Sequence, residues 1–518
     1  MKILAVSTGH DASVTVLEDG KIVFYLSANK ITRKKHDNRV LCCLEYLIKR
    51  GHTQFTDVIV DFLKFDQERI QNSLKKLLDD NFDYDNLTYT YSEHHLYHAY
   101  TGFFNSPFAE AVCIILDGGG AMYDDGKGES LWDNCGSWNQ EGESVYKADR
   151  HSIREIQKKY FGQVGAPHTI EQQFLLHRQK AISNDDIITF DESKNHMSVG
   201  TKFEIVSQDC GFGRWGAGKV MGLAAYKGLE SFKVFNWKDK IDRCYEVQKE
   251  CEEHVIDLIK KYSSLSNNLV LSGGYALNCA ANDRFKKLFP HLNFFVDPIC
   301  ADDGISIGLS YKYYMDKSFS KKIKPLNNVY VGERVDYQLN GLKTKKTSYS
   351  EVAQLLNEGY VIALCQGRSE AGYRALGNRS ILFDPRERDG KEYMNNLKGR
   401  EDFRPFAGTV LQDYASEWFD VEESPYMSYT VKVKRKEIPA VTHINDTCRV
   451  QTVSYDQNPH FYNLIKSFYD ITGVPVVGNT SFNYAGESIA ETWDQVLATR
   501  KKMDITYLFL PDLNILVY

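Results

Sequence analysis

The sequence predicts an α/β protein built as two domains, and three observations carry that expectation. At 518 residues the chain exceeds what one ordinary core holds. Three segments of roughly its first three hundred residues are apolar strands that end in a polar or glycine turn. They are "AVCIILDGGG" (111–120), "NNLVLSGGYALNCAAN" (267–282) and "LNFFVDPICADDGISIGLSYKYY" (292–314), the last two running on into a helix. Past residue 332, helix and strand alternate, with basic residues on the polar turns, as in "QGRSEAGYRALGNRS" (366–380).

Taken in order, the chain opens as a β-ribbon. "ILAVS" reads as a strand, "TGHDAS" as a polar turn, and "VTVLEDGKIVFYLS" as two strands joined at Asp19-Gly20. The stretch 93–104, "EHHLYHAYTGFF", reads as a helix with His94 and His98 one turn apart. Residues 123–200 are polar and irregular and are expected to form an insertion. A domain boundary is expected within "SKKIKPLNNVYVG" (320–332), dividing the chain into 1–325 and 326–518. No internal repeat is visible.

Composition excludes several classes. The apolar and charged fractions, 42% and 25%, are those of a soluble globular protein. A net charge of −6 gives no global basic field, so polymeric nucleic acid is not an expected partner. No signal peptide or run of about 18 apolar residues is present, so no membrane is expected. Eleven scattered cysteines without a CxxC pattern argue for a reduced, cytoplasmic protein.

Two constellations carry chemistry. His94 and His98 share a helix face and can chelate a divalent cation, whereas His95 points about 100° away. Asp117 ends one strand, and Asp302 and Asp303 follow another. Histidines with one or two aspartates suit iron(II), manganese or zinc better than calcium or magnesium. Asp303 is expected to cap a helix instead. The second constellation suits phosphate. Gly273 and Gly274 stand between a strand and a helix, where backbone amides cradle anions. Arg368, Arg374, Arg379, Lys398, Arg400, Arg404 and Arg449 add forked or point charges, and "GNTSFN" (478–483) adds amide and hydroxyl donors.

These segments together resemble the O-carbamoyltransferase family of nodulation-factor and antibiotic-tailoring enzymes. The resemblance runs through "GHDAS", "TRKKHD", "HHLYHA", "LDG", "GKVMGLA", "LSGGYALNCAAN", "RALGNRSILFDPR", "FRPFAGTVL", "PAVTHINDTCRVQTV" and "GNTSFNYAGESI". It implies an actin-like domain, a duplicated ribonuclease-H-like fold, followed by a YrdC-like α/β domain. The second would make carbamoyl adenylate from carbamoyl phosphate and ATP. The first would pass the carbamoyl group to a hydroxyl beside bound iron(II) or another divalent metal, magnesium among the candidates. By motif, the metal ligands fall on His94, His98, Asp117 and Asp302, and the histidine beside the acceptor on His10, the expected general base, with Asp11 the alternative. Nucleotide contacts fall on Gly273, Gly274 and Asn278. The carbamoyl phosphate and ATP site falls on Lys398, Arg404, Arg449, Asn479 and Ser481. The acceptor is expected to be a small molecule: a sugar, an antibiotic or a hydroxymethylated nucleotide. Alternatives are a non-catalytic nucleotide- or metal-binding regulator and a partner in tRNA threonylcarbamoyl transfer. The chain departs from the family at 372–374, where Gly-Tyr-Arg replaces the usual Gly-Pro-Arg.

Overall fold

The computed structural model describes the chain except residues 63–66, 92, 121–136, 165–187, 191–196, 229–236, 320–321 and 327. Alternating apolar residues at the start make three antiparallel strands, β1 (Lys2–Ser7), β2 (Ser13–Glu18) and β3 (Lys21–Ser27). Asp19 and Gly20 both take positive φ, +46° and +76°, the conformation a two-residue hairpin turn needs. Two further strands, β4 (Gln54–Phe62) and β5 (Asp83–Tyr91), pair parallel on the other side of β1. The sheet order is β3-β2-β1-β4-β5, with only β2 antiparallel.

The second sheet repeats this plan. Its strands are β6 (Glu110–Leu116), β7 (Ser137–Asp149), β8 (Ile153–Val164), β9 (Ile188–Phe190), β10 (Asn268–Ser272) and β11 (Asn293–Val296). The order is β11-β10-β6-β7-β8-β9. β7 runs antiparallel to its neighbours β6 and β8, while β10 and β11 run parallel to β6. With β9 set aside as an added edge, this is the order of the first sheet. The unit is ribonuclease-H-like, and its duplication makes the actin-like architecture. It repeats in topology although the sequence shows no repeat.

This corrects the expectation of an insertion over 123–200. Residues 123–136, 165–187 and 191–196 of that stretch lie outside the described residues, but β7 and β8 are integral strands. Their polarity misleads because buried polar groups on β7 are paired. Glu141 meets Lys158 at 2.8 Å, Glu143 meets His254 at 2.5 Å, and Ser144 bonds His95 Nδ1 at 2.7 Å.

Two helices lie between the sheets. His94–Asn105 packs on β6 and β10, Ile305–Lys317 packs on β1 and β2, and the two pack on each other. A Cβ at Gly308 would sit 1.9 Å from the Tyr97 carbonyl oxygen, so glycine sets how closely these helices approach.

The third sheet holds β12 (Thr344–Lys346), β13 (Ile362–Cys365), β14 (Arg379–Phe383), β15 (Ala407–Leu411), β16 (Thr430–Lys432), β17 (Thr447–Val453), β18 (Val476–Ser481), β19 (Tyr507–Leu510) and β20 (Ile515–Val517). Its order is β12-β20-β19-β13-β14-β18-β15-β17-β16, with mixed pairing. Polar contacts tie it to the first sheet's region, among them Arg33 to Glu487 at 2.8 Å and Arg368 to the Val23 carbonyl at 2.7 Å. Among the described residues no helix is long and apolar enough to cross a membrane.

Candidate active site

Elements of both repeats converge on one point. The helix His94–Asn105 presents His94 and His98, β6 runs into Asp117, and the turn before Ile305–Lys317 supplies Asp302. One ligand atom from each of the four lies within 4.8 Å of the others. His94 Nε2 is 3.1 Å from Asp117 Oδ2 and 3.4 Å from Asp302 Oδ1. His98 Nε2 is 3.4 Å from Asp302 Oδ1 and 3.8 Å from Asp117 Oδ2. Donors held ~2.1 Å from a tetrahedral ion stand ~3.4 Å apart, so the spacing fits a bound cation. His98 is fully buried, yet neither ring nitrogen has a hydrogen-bond partner, which is costly without an ion. The electrostatics agree. Burial opposes a charged His94 ring, but Asp302 and Asp117 override it and hold its pKa well above the usual range. Burial likewise opposes the Asp302 carboxylate, but His94 and His10 hold it well below the usual range. The site calls for positive charge. Gly274 supports it by donating its N–H to Asp117 Oδ1 at 3.1 Å.

His10, on the β1–β2 turn, borders this cluster. Its Nδ1 lies 3.4 Å from Asp302 Oδ2 and its Nε2 3.4 Å from Asp11 Oδ2. Asp11 is 3% exposed and is more than a turn former. Its Oδ2 is 2.8 Å from His36 Nδ1, and its Oδ1 accepts the Tyr373 hydroxyl at 2.6 Å. The half-exposed Trp215 ring stacks on His36 at 4.0 Å and on His10 at 5.0 Å.

A cationic recess lies nearby, where Arg374, Arg400, Arg404 and Arg449 face one another with Lys35. Burial and then repulsion from Arg449 push Arg374 down to about 10. Burial and then Arg404 push Arg400 well below its usual range. Burial followed by Arg404, Lys219 and Arg400 lowers Lys35. Glu401 is shared by Lys219 at 2.6 Å and Arg404 at 3.6 Å. A recess so loaded favours a polyanion.

Other expected anion contacts are spent on structure. Arg379 is fully buried and donates to the carbonyls of Gln366, Asn378, Glu333 and Gly367. Arg368 donates to the Gly332, Val331 and Val23 carbonyls. Both are backbone braces, because a guanidinium satisfies clustered carbonyls as readily as phosphate. Lys398 is buried and donates to the Ser481 and Asn483 carbonyls and to Asn483 Oδ1. Ser481 bonds the same Asn483 Oδ1 at 2.6 Å. Asn479 donates to Ala375, Thr409 and Gln451. Asn278 caps the helix Cys279–Leu288 and exchanges bonds with Gln248. Gly273 has φ +90°, and a Cβ there would meet the Leu116 carbonyl oxygen at 2.3 Å, so close strand packing explains it.

Asp303 does not cap a helix. Its buried carboxyl accepts the Tyr25 hydroxyl at 3.1 Å, and burial with Asp11 close by raises its pKa well above the usual range. His36, Lys35, Tyr373 and Trp215 escape sequence reasoning. The first two stand in the quoted "TRKKHD" segment and Tyr373 at a departure from the family's pattern, but nothing local shows that they face one carboxylate or one recess.

Residues 353–516 match the family described as Carbamoyltransferase C-terminus. An uncharacterised protein of Methanocaldococcus jannaschii is 29% identical over 546 aligned positions, covering 98% of this chain and 98% of that protein. Nodulation protein NolNO of Sinorhizobium fredii is 26% identical, over 96% of this chain and 77% of NolNO. A 3′-hydroxymethylcephem-O-carbamoyltransferase of Amycolatopsis lactamdurans is 34% identical over 225 residues, 42% of this chain and 43% of that enzyme.

Proposed function

We propose that this chain, whose residues 353–516 match the family described as Carbamoyltransferase C-terminus, is an ATP-dependent O-carbamoyltransferase acting on a small-molecule hydroxyl. One observation carries the reading: the cationic recess and the four-donor cluster are neighbours. Lys35 faces Arg404 and Arg400, while the next residue, His36, bonds Asp11 beside His10.

In this reading residues 326–518 form the activating part. Water first cleaves the O–P bond of carbamoyl phosphate, giving carbamate and phosphate, and a carbamate oxygen then attacks the α-phosphorus of ATP, forming carbamoyl adenylate as the bond to pyrophosphate breaks. Arg404, Arg449, Arg374 and Arg400 stabilise the charge that develops on the phosphates. Lys398, which stands beside Arg400, Lys35 and Arg404, borders that recess, and Asn479 and Ser481 of β18 complete the carbamoyl phosphate and ATP site. Residues 1–325 form the transfer part. The acceptor oxygen attacks the carbamoyl carbon, the bond to AMP breaks, and His10 takes the hydroxyl proton. His94, His98, Asp117 and Asp302 would hold a divalent ion, iron(II), manganese or zinc by donor set. Such an ion supplies Lewis acidity toward the carbamoyl or hydroxyl oxygen. His36 and Asp11 orient His10.

The test incubates the metal-loaded chain with carbamoyl phosphate, ATP and defined hydroxyls. Useful probes are a 3′-hydroxymethylcephem, an aminoglycoside and 5-hydroxymethyl-2′-deoxycytidine 5′-monophosphate. The expected result is pyrophosphate release and a mass gain of one carbamoyl group on one probe. ATP left intact in the presence of carbamoyl phosphate and every probe would overturn the reading.

A further inference from the structure

Two pairs of consecutive residues stand between the recess and the four-donor cluster. In the first pair Lys35 lies in the recess and His36 meets Asp11. In the second, Arg374 lies in the recess against Arg449, and Tyr373 donates to Asp11. The carboxylate is held at both oxygens, by His36 from the first sheet's region and by Tyr373 from the loop that precedes β14.

That loop is rigid at the position that matters. Glu370 Oε1 accepts the N–H groups of Leu376, Asn378 and Arg379, wrapping the loop around one buried carboxylate. Gly372 has φ +82°, and a Cβ there would lie 2.7 Å from the Pro298 carbonyl oxygen, so the loop presses on the turn that leads to Asp302. Tyr373 keeps its proton, since burial and then Asp11 push the phenol well above its usual range. A carboxylate bonded at one oxygen can still rotate about its broad terminal torsion, and a second bond at the other oxygen fixes its plane.

We propose that Tyr373 is a positioning residue for carbamoyl transfer, clamping the second oxygen of Asp11 so that the carboxylate plane sets His36 and His10 toward the acceptor. The inference rests on the reading of His10 as the group that takes the acceptor proton.

The test uses the full chain, zinc-loaded for spectroscopy, with Tyr373→Phe removing only the hydroxyl. In histidine-selective 15N spectra, with His36 assigned through His36→Asn, the His36 ring signals shift in Tyr373→Phe. Adding Tyr373→Phe to Asp11→Asn produces no further shift. Transfer to the hydroxymethyl nucleotide or the hydroxymethylcephem loses about tenfold in kcat at constant KM, the effect of about one hydrogen bond to a charged group. Pyrophosphate release, the check on folding and activation, stays at the wild-type rate. Unmoved His36 signals, or transfer at the wild-type rate, overturn the proposal. If the wild type itself carbamoylates neither probe, the acceptor reading falls, and the His36 signals alone decide the case for Tyr373.

Discussion

At the scale of single residues, the four-donor cluster and His10 make separable predictions. His94→Ala or Asp117→Ala removes one of four convergent donors. Each variant is expected to lose bound divalent metal and carbamoyl transfer while still making adenylate, since the proposed function puts activation at the cationic recess. Elemental analysis decides, and full metal occupancy in both variants would sink the assignment. His10→Asn keeps a similar volume and one hydrogen bond but cannot accept a proton at neutral pH. It is expected to retain metal and pyrophosphate release and to lose transfer by ~10²-fold or more. Transfer near the wild-type rate would leave His10 a turn-shaping residue. The i,i+4 spacing and the strand ends were enough to select the residues that converge. Asp303 shows the limit of such reasoning. A carboxylate ahead of a helix looks like a cap, and only the fold brings Tyr25 from another strand to meet it.

At the scale of elements, braces and ligands separate. Lys398 ends the helix Gly390–Lys398 and ties it to the turn after β18 with its ammonium group. Arg449 sits on β17, beside β15 and β16, and its buried Nε has no hydrogen-bond partner. Arg449→Ala is therefore expected to slow pyrophosphate release by ~10²-fold, a few kcal/mol of lost charge stabilisation, with little change in Tm. Lys398→Met should lower Tm as well, because three acceptors lose their donor. Equal Tm for the two variants, read by calorimetry, would put Lys398 back among the plain ligands. Apolar strands that end at glycine or aspartate, such as β6 and β10, were legible because period and turn chemistry agree. β7 was not, because both its faces are buried and carry Glu141, Glu143 and Ser144, whose partners lie on β8 and on two separate helices. Arg368 and Arg379 were misread for a related reason. An arginine among glycines does not reveal whether its fork will face phosphate or folded backbone.

At the scale of the whole molecule, stability carries a pH signature. Burial pushes His443 down to about 4, aided by Arg449 and Lys391, while its Nε2 donates to the Phe406 carbonyl at 3.1 Å. The unfolded chain takes up a proton near pH 6.5 that the folded chain refuses until about 4. This contribution is complete above pH 6.5 and is lost as the pH falls toward 4, a loss of about 3 kcal/mol. Denaturant titrations at pH 7 and pH 4.5 should show a smaller drop for His443→Gln than for wild type. An equal drop would mean that other groups control acid stability. The sheet order, finally, has a meaning in time. Asp11 follows the first strand of the first sheet and Asp117 the first strand of the second, in two sheets that share one order. A topology repeated where the sequence no longer repeats is the trace of an old doubling, in which one ancestral turn became two. One descendant now faces a metal-type cluster and the other a pair of histidines. The two turns share one frame although their aspartates do not match in position, Asp117 directly following β6 and Asp11 standing four residues past β1, so the asymmetry of the site lies within a repeated topology.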